Sequence, residues 1–159
     1  MAGATDHRAG ENSGAVTDPR DLRDRRVLVA GGRVSGRALL PTLGTLGARV
    51  TVADSDESAL AACADLGADT VLMDRIAPDR AAVGEFALVI TSPGFRPDAP
   101  LLTTALTVGV PVWGDIEFSW RVDRAEVYGP ARTWLVVTGT NGKTTTTSML
   151  ASILLSLIH

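Results

Sequence analysis

The stretch 26-RVLVAGGRVSG-36 decides the fold. A short β-rich run, RVLVA, meets two adjacent glycines, and beyond Arg33 the leucines Leu39, Leu40 and Leu43 recur at helical spacing. An apolar run this short, closed by glycine, reads as a strand buried on both faces. A dinucleotide fingerprint places G-x-G-x-x-G at such a strand-to-helix junction, with an acidic residue about 20 positions on, at the end of the next strand. Gly31 and Gly36 take the outer glycine places, and Asp54, closing 48-ARVTVAD-54, takes the acidic one. Arg33 stands where the middle glycine would be. That glycine lets the backbone pass close to a pyrophosphate; an arginine gives up the approach and supplies a charge of its own. The junction suits a phosphate at a helix N-terminus, with Ser35 offering a hydroxyl, and makes a poor NAD site. The alternative is that Gly31 and Gly36 only let a tight turn form.

Outward from this junction, strand and helix alternate. The segment 35-SGRALLPTLGTLG-47 reads as a helix ended by Gly47, although Pro41 and Gly44 lower its propensity and leave packing to hold it. ARVTVAD is a second strand, DESALAACADLG a helix closed by Gly67, and ADTVLM a weaker strand. FALVIT is a clear strand running into Ser92-Pro93-Gly94, where Pro then Gly predicts a type II turn at a strand's carboxyl end. DAPLLTTALTVG is a helix, VPVWG a short strand, and DIEFSWRV a helix with Asp115 as its N-cap and Glu117 favouring the helix dipole. This alternation predicts a parallel sheet with helices on its faces, an α/β Rossmann-like domain over 21–125. Residues 1–20 read as a disordered tail, and DRAEVYGPAR breaks the alternation, so a second unit is expected over 126–159.

Composition narrows the classes. The chain has 159 residues, 45% hydrophobic and 21% charged, which is the make-up of a globular protein. A net charge of -3 without a basic run excludes a nucleic-acid partner as the reading of choice. One cysteine, Cys63, permits no internal disulfide and fits the cytoplasm; its helical spacing from Leu60 and Leu66 reads as a buried thiol. His7 and His159 have no ligand-like neighbours. The longest apolar segment, SMLASILLSLI, is shorter than the roughly 20 residues of a membrane span, so no membrane insertion is expected and the segment reads as a buried helix.

The second informative junction is 133-TWLVVTGTNGKTTTTSML-150. It predicts a strand, a glycine turn and a helix. The common P-loop template G-x-x-x-x-G-K-[ST] does not fit, because Val137 occupies its first glycine place; the shorter G-T-N-G-K-T-T runs from Gly139. The chemistry still holds. Backbone N–H groups between Gly139 and Lys143 can converge on phosphate oxygens. Lys143 brings a point charge to them, Thr144 can offer its hydroxyl to Mg²⁺, and the helix adds its positive end.

Taken in order, AGGRVSG, SPG, GDIE and GTNGKTT resemble the Mur ligases of peptidoglycan synthesis, over residues from about 26 to 154. GTNGKT alone is shared with folylpolyglutamate synthases and cyanophycin synthetases; the ordered set is closest to the D-glutamate-adding branch. The L-alanine-adding branch would carry a histidine where Asn141 stands. The resemblance implies a three-domain, ATP- and Mg²⁺-dependent amide ligase. It would join D-glutamate to UDP-N-acetylmuramoyl-L-alanine through an acyl phosphate, as a cytoplasmic monomer. Val34 and Ser35 would contact the diphosphate, Asp54 and Ser55 the uridine, and Gly94 the pyrophosphate region. Gly139, Thr140, Asn141, Gly142, Lys143, Thr144 and Thr145 would form the ATP loop, with Lys143 catalytic and Thr144 on Mg²⁺. Asp56 stands where the family often has an arginine, so that contact is not carried over. The rest of an ATP domain and an amino-acid domain are expected beyond residue 159, with residues 155–159 a candidate for non-native sequence and the chain inactive alone. The remaining alternatives are another member of the Mur ligase superfamily, an NAD-binding Rossmann module, and a P-loop kinase or GTPase, the last of which has no need of the first hundred or so residues.

Overall fold

A computed structural model describes residues 16–157. Strand β1 (Arg26–Ala30) is its centre: Val27, Leu28, Val29 and Ala30 are all fully buried. Val27 and Val29 point into one apolar cluster, Leu28 and Ala30 into the other, as the two-residue period of a strand requires. Each such valine or leucine contributes about 1.5–3 kcal/mol by burial, so a strand sandwiched between two layers is strongly fixed.

Helix α1 (Val34–Thr45), β2 (Arg49–Asp54), α2 (Glu57–Ala64) and β3 (Asp69–Leu72) follow. Two short helices, α3 (Met73–Ile76) and α4 (Arg80–Gly84), then lead to β4 (Leu88–Thr91), α5 (Pro100–Thr107), β5 (Val112–Gly114) and α6 (Asp115–Arg124). The five strands are parallel in the order β3-β2-β1-β4-β5. The order reverses between β1 and β4, whose register pairs Ala30 with Thr91. In open α/β sheets this switch point opens a crevice at the carboxyl ends of the strands. Leu39, Leu40 and Leu43 of α1, Leu60 and Cys63 of α2, and Phe118 and Val122 of α6 cover one face. Ile76, Val83 and the α5 residues Leu101, Leu102 and Ala105 cover the other. Leu39, Leu40 and Leu43 hold Pro41 within α1, as the sequence required.

Several details differ from the sequence reading. Of residues 16–20, assigned to the tail, Val16 and Pro19 are buried and Asp18 caps a 3₁₀ turn at Pro19–Leu22. The earlier part of the tail, with His7, lies outside the described residues, as do Ile158 and His159. Gly114, not Asp115, is the N-cap of α6; Asp115 is its first residue and accepts the Ile116 N–H at 2.8 Å. The Ser92–Phe95 turn is closed by the Phe95 N–H on the Ser92 carbonyl (3.2 Å), but Gly94 does not have the positive φ of a type II turn. TWLVVTG is not a strand: no described strand lies beside it to complete a ladder, and Leu135 and Val136 are exposed. Helix α7 (Lys143–Ser156) forms as expected, yet it buries none of its residues, Met149, Ile153 and Leu154 included. Nothing among the described elements covers it.

The segment after α6 is nonetheless tied down: Val127 packs against the first core cluster, and the Tyr128 hydroxyl donates to Thr42 Oγ1 at 3.3 Å. Asp123, buried on α6, accepts the Arg132 N–H (2.9 Å), the Arg132 guanidinium (2.9 Å) and the Trp134 indole N–H (3.0 Å). These donors, led by the Arg132 backbone N–H, hold its carboxyl below the usual carboxylate range.

Candidate functional site: a cleft at the switch point

The cleft at the ends of β1, β2 and β4 has a volume of about 450 Å³ and is lined by Gly31, by Arg33 to Ser35, by Asp54 and by Ser92 to Phe95. Its floor depends on two glycines. Gly31 has φ +98°, and a Cβ there would stand 2.8 Å from Ser92 Oγ and 3.2 Å from the Phe95 ring. A Cβ at Gly36 would meet the Gly31 carbonyl oxygen at 1.8 Å, so the first turn of α1 can approach β1 only through glycine. Arg33 has φ -80° and ψ -151°, an extended conformation that does not call for glycine, so its side chain is accommodated without the left-handed backbone seen at Gly31.

Asp54 ties the two neighbouring loops together. Its Oδ2 accepts the Gly32 N–H at 2.7 Å and its Oδ1 accepts the Asp56 N–H at 3.0 Å. Both oxygens keep lone pairs for further donors, since each carboxylate oxygen can accept twice. Next to this bridge, the Arg33 guanidinium donates to Asp56 Oδ2 at 3.3 Å; Arg33 lines the cleft and Asp56 does not. Asp56 also caps α2: Oδ1 accepts the Ser58 N–H (3.0 Å), the Ser58 hydroxyl (2.6 Å) and the Ala59 N–H (3.4 Å). The Ser58 hydroxyl first, then these N–H groups, keep its carboxyl below the ordinary value and hence charged. Below the turn, the Cys63 thiol donates to the Gly32 carbonyl at 3.3 Å, and burial pushes its pKa up, as befits a structural thiol. On the β4 side, Ser92 Oγ donates to the Ala30 carbonyl at 3.0 Å.

Of the residues expected to hold a nucleoside diphosphate, Val34, Ser35, Asp54 and Gly94 line this cleft together; Ser55 is exposed and does not. Phe95 lines it without any signal in the sequence, because nothing local marks an aromatic that the turn at Ser92 folds inward. Gly139 to Thr145 are exposed and line a different part of the surface. There Gly139 (φ +151°) and Gly142 (φ +76°) adopt backbone that favours glycine, and Gly142 is the N-cap of α7. Lys143 Nζ donates to the Gly139 carbonyl at 2.5 Å, so the lysine arches over its own loop. Thr144 follows in the first turn with one oxygen to offer. No group of three or more His, Cys, Asp or Glu side chains that could hold a metal occurs among the described residues.

A doubly wound parallel half-sheet with its cleft at the switch point defines a Rossmann-like unit. In keeping with that, the chain superposes on a dipicolinate synthase from Bacillus halodurans with a TM-score of 0.50, at 19% identity, covering 86% of this chain and 47% of that one. This likeness establishes the fold alone. No family model matches the chain. In sequence it is 68% identical over 133 residues to the UDP-N-acetylmuramoylalanine–D-glutamate ligase of Rhodococcus jostii, covering 84% of this chain and 27% of the relative. It is 56% identical to the Nocardia farcinica ligase of the same name, again over 84% of this chain and 27% of the relative. The Mur ligase resemblance carried by the motif order is thus borne out: the chain is similar to an N-terminal portion of these D-glutamate ligases. It spans about 27% of the length of these curated relatives.

Proposed function

We propose that the chain is the substrate-binding part of a peptidoglycan-precursor ligase that joins D-glutamate to UDP-N-acetylmuramoyl-L-alanine. The observation that carries this is the convergence of Val34, Ser35, Asp54 and Gly94 on one cleft, in a chain 68% identical to a ligase of that name. In this reading the uridine diphosphate lies across the switch point. The N–H groups opening α1 and the Ser35 hydroxyl face the diphosphate, and Asp54 accepts from the uridine. The short Gly139–Thr145 loop is proposed to take the phosphates of ATP, with Lys143 offsetting their charge. Its two positive-φ glycines and its place at the N-terminus of α7 support this. Thr144 supplies one oxygen ligand of the hard type magnesium takes, with the others to come from phosphate, water and residues outside the described set. When bound, ATP would supply a phosphoryl group to the substrate carboxylate, making it an acyl phosphate that the amine of D-glutamate attacks to give the amide, ADP and phosphate. We place the protein in the cytoplasm as a monomer, where its nucleotide substrates are found; no helix among the described residues is long and apolar enough to cross a membrane.

Two measurements on the 159-residue chain test this reading. Calorimetry is expected to show binding of UDP-N-acetylmuramoyl-L-alanine and none of NADH; the reverse preference would make the chain an NAD module. A turnover assay with ATP and D-glutamate is expected to show no ligation, because the chain spans only about 27% of the length of the ligases it resembles; product formation would show that this stretch suffices for the reaction.

A further inference from the structure

Arg33 is the one cation among the residues that line the cleft, beside Asp54 as the one anion. It sits immediately before α1, where N–H groups already favour negative charge, and its backbone conformation imposes no strain. Its guanidinium engages Asp56 through Nη2 at 3.3 Å, in a pair whose side chains are 77% and 37% exposed. Such a solvated pair is weak and readily exchanged. The exchange leaves α2 intact, because the capping bonds to Ser58 and Ala59 use the other Asp56 oxygen, Oδ1. A guanidinium carries five N–H donors in a planar fork that matches a phosphate's oxygens in pairs.

Resting on the reading that this cleft takes a nucleoside diphosphate, we propose that Arg33 is a specificity-determining residue for the diphosphate, resting on Asp56 when the cleft is empty and turning to the phosphate oxygens when it is filled. In the middle place of the fingerprint the chain thus trades a close backbone approach for a movable charge. Asp56 is the competing anion: it parks the arginine and weakens binding of any ligand that must displace it.

The test compares UDP with uridine by calorimetry on the whole 159-residue chain, unaltered and as Arg33→Ala and Asp56→Asn. Asparagine retains the α2 cap, and equal melting temperatures check that both variants fold. Arg33→Ala is expected to weaken UDP binding by roughly tenfold, the effect of a charge-assisted phosphate contact, and to leave uridine unchanged. Asp56→Asn is expected to tighten UDP about two- to fivefold, the scale of an exposed ion pair, again without effect on uridine. If Arg33→Ala binds UDP as the unaltered chain does, or loses UDP and uridine equally, the role of Arg33 is refuted while the cleft stands. If the unaltered chain binds no UDP at all, the reading of the cleft falls, and the role of Arg33 with it.

Discussion

Gly36 and Gly44 lie on the same helix and would respond oppositely to the same change. A methyl group at Gly36 would overlap the Gly31 carbonyl at 1.8 Å, so Gly36→Ala must push α1 away from β1. We expect it to cost about 3 kcal/mol or more in urea denaturation, the upper range for overpacking. Gly44 meets nothing within 4 Å, and Gly44→Ala should stabilise by about 0.5–1 kcal/mol through helix propensity alone. Asp123 offers a pH test at the same scale. Its carboxyl is held below the ordinary range in the folded chain, so the unfolded chain binds the proton more readily. Its contribution is therefore complete above the unfolded carboxylate pKa of about 4 and is lost as pH falls through the lower folded value. In Asp123→Asn the fall in stability between about pH 5 and pH 2 should be shallower than in the unaltered chain, as read by melting temperature against pH.

At the scale of elements, the chain divides into a packed sheet and an uncovered end. Amides of β1 and β4 should exchange slowest with deuterium, because both strands are interior and buried on two faces. Amides of α7 should exchange within the shortest labelling times, since a helix of 14 residues with no packed face is marginal in water. Strong protection of α7 would show that something in solution covers it. What the sequence makes legible follows the same division. RVLVA, ARVTVAD and FALVIT carry their pattern locally, because buried parallel strands are apolar throughout, and the outer glycines and Asp54 locate the cleft. TWLVVTG carries a similar pattern yet forms no strand, because a strand exists only where a neighbour accepts its hydrogen bonds. The short α3 and α4 leave no mark in the sequence, since four or five residues give no helical period. The turn at Gly94 departs from type II because Pro-Gly is compatible with more than one turn type. Phe95 and the Asp123 clasp depend on tertiary contacts that no local spacing announces.

The whole molecule joins a Rossmann-like half-sheet to a second loop, Gly139–Thr145, that leads into an uncovered helix. The first part has its own two-sided core and its own cleft; the second supplies a turn and a helix whose apolar residues remain exposed. We propose the cleft in the first part, between the ends of β1, β2 and β4, as the site for uridine diphosphate. Amide chemical shifts of the isotopically labelled 159-residue chain, followed by NMR during titration with UDP-N-acetylmuramoyl-L-alanine, test it most directly. We expect changes concentrated at Gly31 to Gly36, Asp54 to Asp56 and Ser92 to Phe95. Changes centred instead on the groove lined by Thr42, Ser119 and Trp134, or a response at the cleft to NADH and none to the uridine nucleotide, would contradict it.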